Sequence, residues 1–191
     1  MEFPVLFLGA KPKDTPALYS LMNYAGLKLG THYPMGGFHS LVEAMVSVCK
    51  KQGVVFHTNS EVENLNVKHN HIISICVDGE TTVVDGVIGS ADYQHIESKL
   101  IDKKYRNYDE KYWAKKTFAP SSLIFYLGIK KKINKLRHHT LFFDADFEDH
   151  SNEIYDNKQW PKDPLFYVCC PSQTDPNVAP EGCENLFILM P

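Results

Sequence analysis

Phe38, Leu41, Val42, Met45, Val48 and Cys49 recur at helical spacing directly behind a glycine pair, Gly36-Gly37. His39, Glu43, Ser47, Lys50 and Lys51 fall on the opposite face of the same helix. Gly53 supplies a left-handed stop. The β-branched run Val54–Thr58 follows with no linker, so the chain passes from helix straight into strand. That hand-over predicts a mixed α+β fold.

The rest of the chain agrees. Asp14-Thr15-Pro16 reads as a helix start, with a capping side chain and then proline in the first turn. That helix is expected to stop at Gly26. Leu65–Lys68 and Ile72–Val77 flank a turn at His69-Asn70-His71, and Asp78-Gly79 leads into Thr81–Asp85. Val87–Ala91 reads as a buried strand, and Asp92 caps a helix over Tyr93–Ile101. Residues 32–101 thus read as helix, strand, meander, strand, helix. Farther on, Leu123–Ile129, Leu141–Phe143, Leu165–Cys170 and Leu186–Met190 are apolar at every position, as expected of strands covered on both faces. The last of them runs almost to Pro191, where a polar linker would mark a domain boundary, so a cut through a longer chain is expected.

Composition excludes several classes. A net charge of -3 gives no reason to expect nucleic acid as a partner. The apolar runs are too short to cross a bilayer, and Met1–Ala10 lacks the basic start and cleavage site of a secretory signal. The five cysteines show no Cys-x-x-Cys spacing, which argues against a disulfide framework and for a reducing compartment. Cys169 and Cys170 are expected to face opposite ways on one strand, as small core residues.

Each candidate site motif has two readings. Gly36-Gly37 at a helix start can leave bare N–H groups for a ligand, or can serve a tight turn alone. Backbone groups at Glu61-Val62 can read the edge of an adenine ring, or simply begin a strand. Gly89-Ser90-Ala91-Asp92 can sit beside a ligand at a strand end, or allow a helix to pack closely. His138-His139, and His69 with His71, are close pairs, but no acid or cysteine near them in sequence completes a metal set. Solvated turns and no metal centre are expected there. The basic run Lys130–His139 can meet anionic headgroups or be an exposed loop. No Gly-x-Gly-x-x-Gly occurs, so no pyrophosphate cradle of that kind is present.

Taken in order, the motifs are not isolated. Phe7-Leu8-Gly9-Ala10, Pro16–Tyr24, Tyr33-Pro34-Met35-Gly36-Gly37 and Val42-Glu43-Ala44-Met45 are followed by Ala91–Glu97, Ala119–Leu123, His139–Phe143, Pro171-Ser172, Thr174-Asp175-Pro176 and Val178–Leu186. This series resembles the bacterial-type phytoene desaturase (carotenoid desaturase) family end to end.

The resemblance implies a fragment of a two-domain, amine-oxidase-like flavoprotein. In it an FAD-binding α/β domain is interleaved with a substrate domain built on a mixed or antiparallel sheet with helices. Residues 1–31 and 102–191 then belong to the substrate domain, whose sheet roofs an apolar cavity. Residues 32–101 belong to the flavin domain, with Glu61-Val62 at the adenine contact. Gly36, Gly37, Glu61, Val62 and Ala91 become the cofactor-side positions, and no residue takes a catalytic label. The implied activity removes a hydride and a proton from a long apolar carotenoid using FAD. The alternatives are a carotenoid isomerase-like or ketone-forming oxidase, or a non-catalytic binding module. The fragment alone is expected to be inactive and not to retain FAD. A lipid-soluble substrate further implies a cytoplasmic protein peripheral to the cytoplasmic membrane, docked through Lys130–His139 and the aromatic region around Trp113.

Overall fold

The computed structural model describes residues 9–191, so the Phe7-Leu8 half of the first motif lies outside the described residues. Two compact units form: the described residues up to Gln52 together with Ala119–Pro191, and Gly53–Phe118. Each contains one wholly antiparallel sheet, in keeping with an α+β chain.

In the unit Gly53–Phe118, strands β1 (Val62–Lys68), β2 (His71–Val77) and β3 (Glu80–Val83) form a meander. Both hairpins turn on two residues in the left-handed region, His69 (φ 50°) with Asn70 (φ 61°) and Asp78 (φ 51°) with Gly79 (φ 76°). Such turns match the twist of the strands they join. Val54–Thr58 and Val87–Ala91, expected as strands, are irregular and pair with no strand among the described residues. Val55 is 73% exposed and Ile88 98%. β-Branched residues favour an extended backbone, but a strand also needs a neighbour for its N–H and C=O groups.

A short helix Tyr93–His95 continues as a wider turn over Ile96–Leu100. Asp92 caps it, accepting from the His95 N–H at 2.8 Å. Glu97, buried on this element, gathers the following loop. Its carboxylate accepts from the Tyr93 hydroxyl (3.1 Å), the Asn107 N–H (3.0 Å), Asn107 Nδ2 (2.7 Å) and the Tyr108 N–H (3.1 Å).

In the other unit, β4 (Leu123–Ile129), β5 (His139–Phe142), β6 (Phe166–Cys169) and β7 (Glu184–Met190) pair in the order β4-β7-β6-β5. Residues directly opposite in an antiparallel pair share a face. One face carries Val168, Cys170 and Leu186, buried beneath Ile133 and Leu136 of the β4–β5 connection. The nine-residue helix Phe147–Tyr155, capped by Asp146, lies beside a second apolar cluster around Leu165. The other face carries Ile124, Tyr126, Phe187, Leu189, Tyr167, Cys169, His139 and Leu141. It is only partly covered: Tyr126 is 79% exposed and Leu141 44%, while Phe187, Leu189, Tyr167 and Cys169 are half-buried. Burial of these strands on both faces, expected from their composition, is therefore corrected. Cys169 and Cys170 do face opposite ways, and only Cys170 is core.

The helices of this unit also depart from expectation. The stretch after Pro16 is a chain of short turns, Ala17–Tyr19, Ser20–Tyr24 and Ala25–Leu29, which ends at Gly30 (φ 89°) and not at Gly26. Asp14 belongs to a preceding turn, and no side chain caps the one that begins at Ala17. The amphipathic helix is present over Phe38–Lys51, with Gly53 at φ 87° beyond it. Its apolar face is open, with Phe38 and Met45 each more than half exposed.

Candidate functional site

The Tyr33–Gly37 turn leads into the Phe38–Lys51 helix, and two glycines are required there. Gly36 and Gly37 sit at φ +87° and +89°, a region that side-chain-bearing residues rarely enter. The N–H groups are not bare. Gly37 N–H donates to the Pro34 carbonyl at 2.9 Å, and Gly36 N–H donates to Asp175 Oδ2 at 2.6 Å. Asp175 is fully buried, and its other oxygen accepts from the Asn177 N–H at 2.9 Å. The Gly36 and Asn177 amides hold its pKa below the ordinary range despite burial. A carboxylate thus occupies the Gly36 N–H, two residues before the helix begins at Phe38. The expectation of open N–H groups is corrected for Gly36 and Gly37 themselves. A second anion, such as a pyrophosphate, would meet Asp175 there.

Tyr33 carries the turn to a polar cluster. Its ring meets His138 edge-on at 4.7 Å. Its phenol pKa is raised by burial and by the charges of Asp175 and Cys169. His138 Nδ1 is hydrogen-bonded to Thr174 Oγ1 at 2.7 Å, and His139 Nδ1 to the Tyr167 hydroxyl at 2.6 Å. Burial pushes Tyr167 to a pKa far above the ordinary phenol, reinforced by its hydrogen bond to Cys169. Burial lowers the pKa of both histidines, and for His138 the neighbouring His139 lowers it further. The β5–β6 register places Cys169 directly opposite His139. The reading of His138-His139 as a solvated pair without a cysteine is therefore overturned by strand pairing. His69 and His71 do lie exposed at their hairpin.

Glu61, Val62 and Ala91 belong to the other compact unit. Glu61 is exposed just before β1, and Val62 begins it, opposite Val77. β1 lies at the edge of its sheet, so its outer backbone groups meet no other strand of that sheet. Ala91 is exposed immediately before the Asp92 cap. At Gly89 a Cβ would come within 2.5 Å of Ile96 Cδ1, which is the close-packing role. Asp175 stood in a motif quoted above without a role, and Cys169 was expected only as a small core residue. Nothing in their local sequence points to Gly36 or His139.

Over residues 1–187 the chain matches the flavin-containing amine oxidoreductase family. The chain belongs to that family. Among the flavin-containing amine oxidoreductases it is similar to a carotenoid 3,4-desaturase of Haloarcula japonica, 40% identical over 191 residues, covering 100% of this chain and 39% of that protein. It is also similar to a zeta-carotene-forming phytoene desaturase of Myxococcus xanthus, 31% identical, covering 100% of this chain and 37% of that protein. A phytoene desaturase of Fusarium fujikuroi is 32% identical, covering 99% of this chain and 33% of that protein. The chain spans less than two-fifths of the length of these curated relatives.

Proposed function

We propose that the full-length protein is an FAD-dependent oxidoreductase that desaturates a long apolar polyene of the carotenoid class. The observation that carries this reading is the partly open apolar face of the four-stranded sheet, where Tyr126, Leu141 and Ile124 are exposed. Ile124, Tyr126, Leu141, Phe187 and Leu189 form a continuous apolar surface, with ring centroids of Tyr126 and Phe187 5.4 Å apart. The β4–β5 connection packs on the opposite face through Ile133 and Leu136, while helix Phe147–Tyr155 meets this face at Tyr167, around Leu165. A rigid, flat, apolar wall is what a polyene without polar handles can be held by, since dispersion and water exclusion are its main attractions. The expected assignment gives residues 1–31 and 102–191 to the substrate domain and 32–101 to the flavin domain, whereas the compact units divide at Gln52 and Phe118.

When bound, FAD supplies the hydride acceptor for the reaction. Glu61 and Val62 would meet its adenine through the edge of β1. Ala91, in the same compact unit, would allow close approach. The sheet wall orients the polyene and excludes water.

The test is Tyr126→Glu and Ile124→Glu in the full-length enzyme, at positions exposed enough to leave folding intact. A charge against an apolar substrate costs at least about 1.4 kcal/mol, so turnover of the polyene should fall by about tenfold or more with flavin content unchanged. Unchanged turnover in both variants would remove the sheet face from the substrate site. A second reading is supported by a 4,4'-diapolycopen-4-al dehydrogenase of Metabacillus indicus, 32% identical over 189 residues. Oxidation of a terminal aldehyde in place of desaturation would appear in the product analysis of the same assay.

The protein is further proposed to be cytoplasmic and peripheral to the cytoplasmic membrane. Among the described residues no helix is long and apolar enough to cross a bilayer. Lys130, Lys131, Lys135 and Arg137 are exposed on the β4–β5 connection, which suits anionic headgroups. Trp113 supports docking less well, because it packs edge-on against Tyr93, Tyr108 and Tyr112.

A further inference from the structure

Independently of the flavin reading, we propose that His138, His139 and Cys169 bind a divalent cation of the zinc class. One ligand atom from each residue lies within 4.8 Å of the other two. Backbone pairing fixes this approach. His139 stands opposite Cys169, and the His138 carbonyl accepts from the Cys170 N–H at 2.8 Å. Around a tetrahedral zinc, with bonds of about 2.0 Å to nitrogen and about 2.3 Å to sulfur, neighbouring ligand atoms stand about 3.5 Å apart. Closing the cluster therefore takes side-chain rotation of about 1 Å and no movement of the sheet.

The surroundings are those of a ligand set. One ring nitrogen of each histidine is held by a hydroxyl, Thr174 for His138 and Tyr167 for His139, and such contacts orient metal-binding rings. Two imidazoles and a thiolate favour zinc, cobalt or a similar ion over magnesium or calcium, which seek oxygen. On binding, the Cys169 S–H bond breaks, a sulfur–metal bond forms, and one proton passes to solvent. His139 is exposed, which leaves a fourth position for water or a small ligand. Three protein ligands and one open position distinguish a reactive zinc from a closed structural one.

The experiment uses the full-length protein, stripped with a chelator and titrated with Co²⁺. One equivalent should bind with a sulfur-to-cobalt charge-transfer band in the difference spectrum, displaced by Zn²⁺. Cys169→Ser and His139→Ala should each abolish the band, and Cys183→Ser should leave it intact. Thr174→Val should weaken cobalt binding by about tenfold through loss of the His138 contact. In the unmodified protein, Zn²⁺ should slow alkylation of Cys169, read by mass spectrometry, a measurement that needs no variant to fold. Absence of the band, its survival in Cys169→Ser, or alkylation of Cys169 at equal rates with and without Zn²⁺ would each overturn the site.

Discussion

Glu97→Gln isolates the buried carboxylate that holds the Asn107–Tyr108 loop. The change keeps shape and volume but removes the charge. Three donors converge on Oε1 and one on Oε2. A glutamine oxygen in the Oε1 place keeps three bonds as neutral ones, and its amide nitrogen then confronts the Tyr108 N–H, donor to donor. Charge-assisted hydrogen bonds contribute about 1.5–3 kcal/mol each and neutral ones about 1 kcal/mol, so the gross loss is about 5 kcal/mol. Relief of the buried charge offsets part of this, leaving a net destabilisation of about 2–3 kcal/mol. Amide hydrogen exchange at Asn107 and Tyr108 should therefore accelerate by about 30- to 150-fold. Rates within about threefold of the unmodified protein would refute the reasoning.

The same carboxyl gives a pH dependence of known sign. Burial alone would raise its pKa, but the hydrogen bonds from Asn107, Tyr108 and Tyr93 bring it below the ordinary glutamate value. Between the folded and unfolded values the unfolded chain binds more protons, so stability rises with pH there. The contribution is complete above the unfolded value of about 4.3 and is lost as pH falls through the folded one. The stability difference between the unmodified protein and Glu97→Gln should shrink across that acid window.

Two further outcomes are expected. Gly37→Val should cost about 1–3 kcal/mol from its backbone angles (φ 89°, ψ 170°) alone, and in the full-length enzyme flavin content should fall further than that strain explains. Normal flavin content and turnover would leave Gly37 as a turn residue. Changing Lys130, Lys131, Lys135 and Arg137 to Gln should reduce co-sedimentation of the full-length protein with anionic liposomes at low salt, with the difference disappearing at high salt. Equal sedimentation at both salt levels would exclude the loop from docking.

What the sequence alone determined is what neighbouring residues decide. His69-Asn70 and Asp78-Gly79 accept left-handed backbone, so both hairpins could be read directly, as could the Phe38–Lys51 helix and the stop at Gly53. The ordered motifs carried the family for the same reason: they are local strings. Tertiary structure decided the rest. Val54–Thr58 and Val87–Ala91 have strand composition, yet a ladder depends on a partner that composition cannot supply. The Gly36–Asp175 bond joins residues 139 positions apart, and the meeting of His139 with Cys169 depends on strand register. A one-residue slip of that register would turn Cys169 into the core and bring Cys170 to the histidine face in its place, because side chains alternate between faces at every residue.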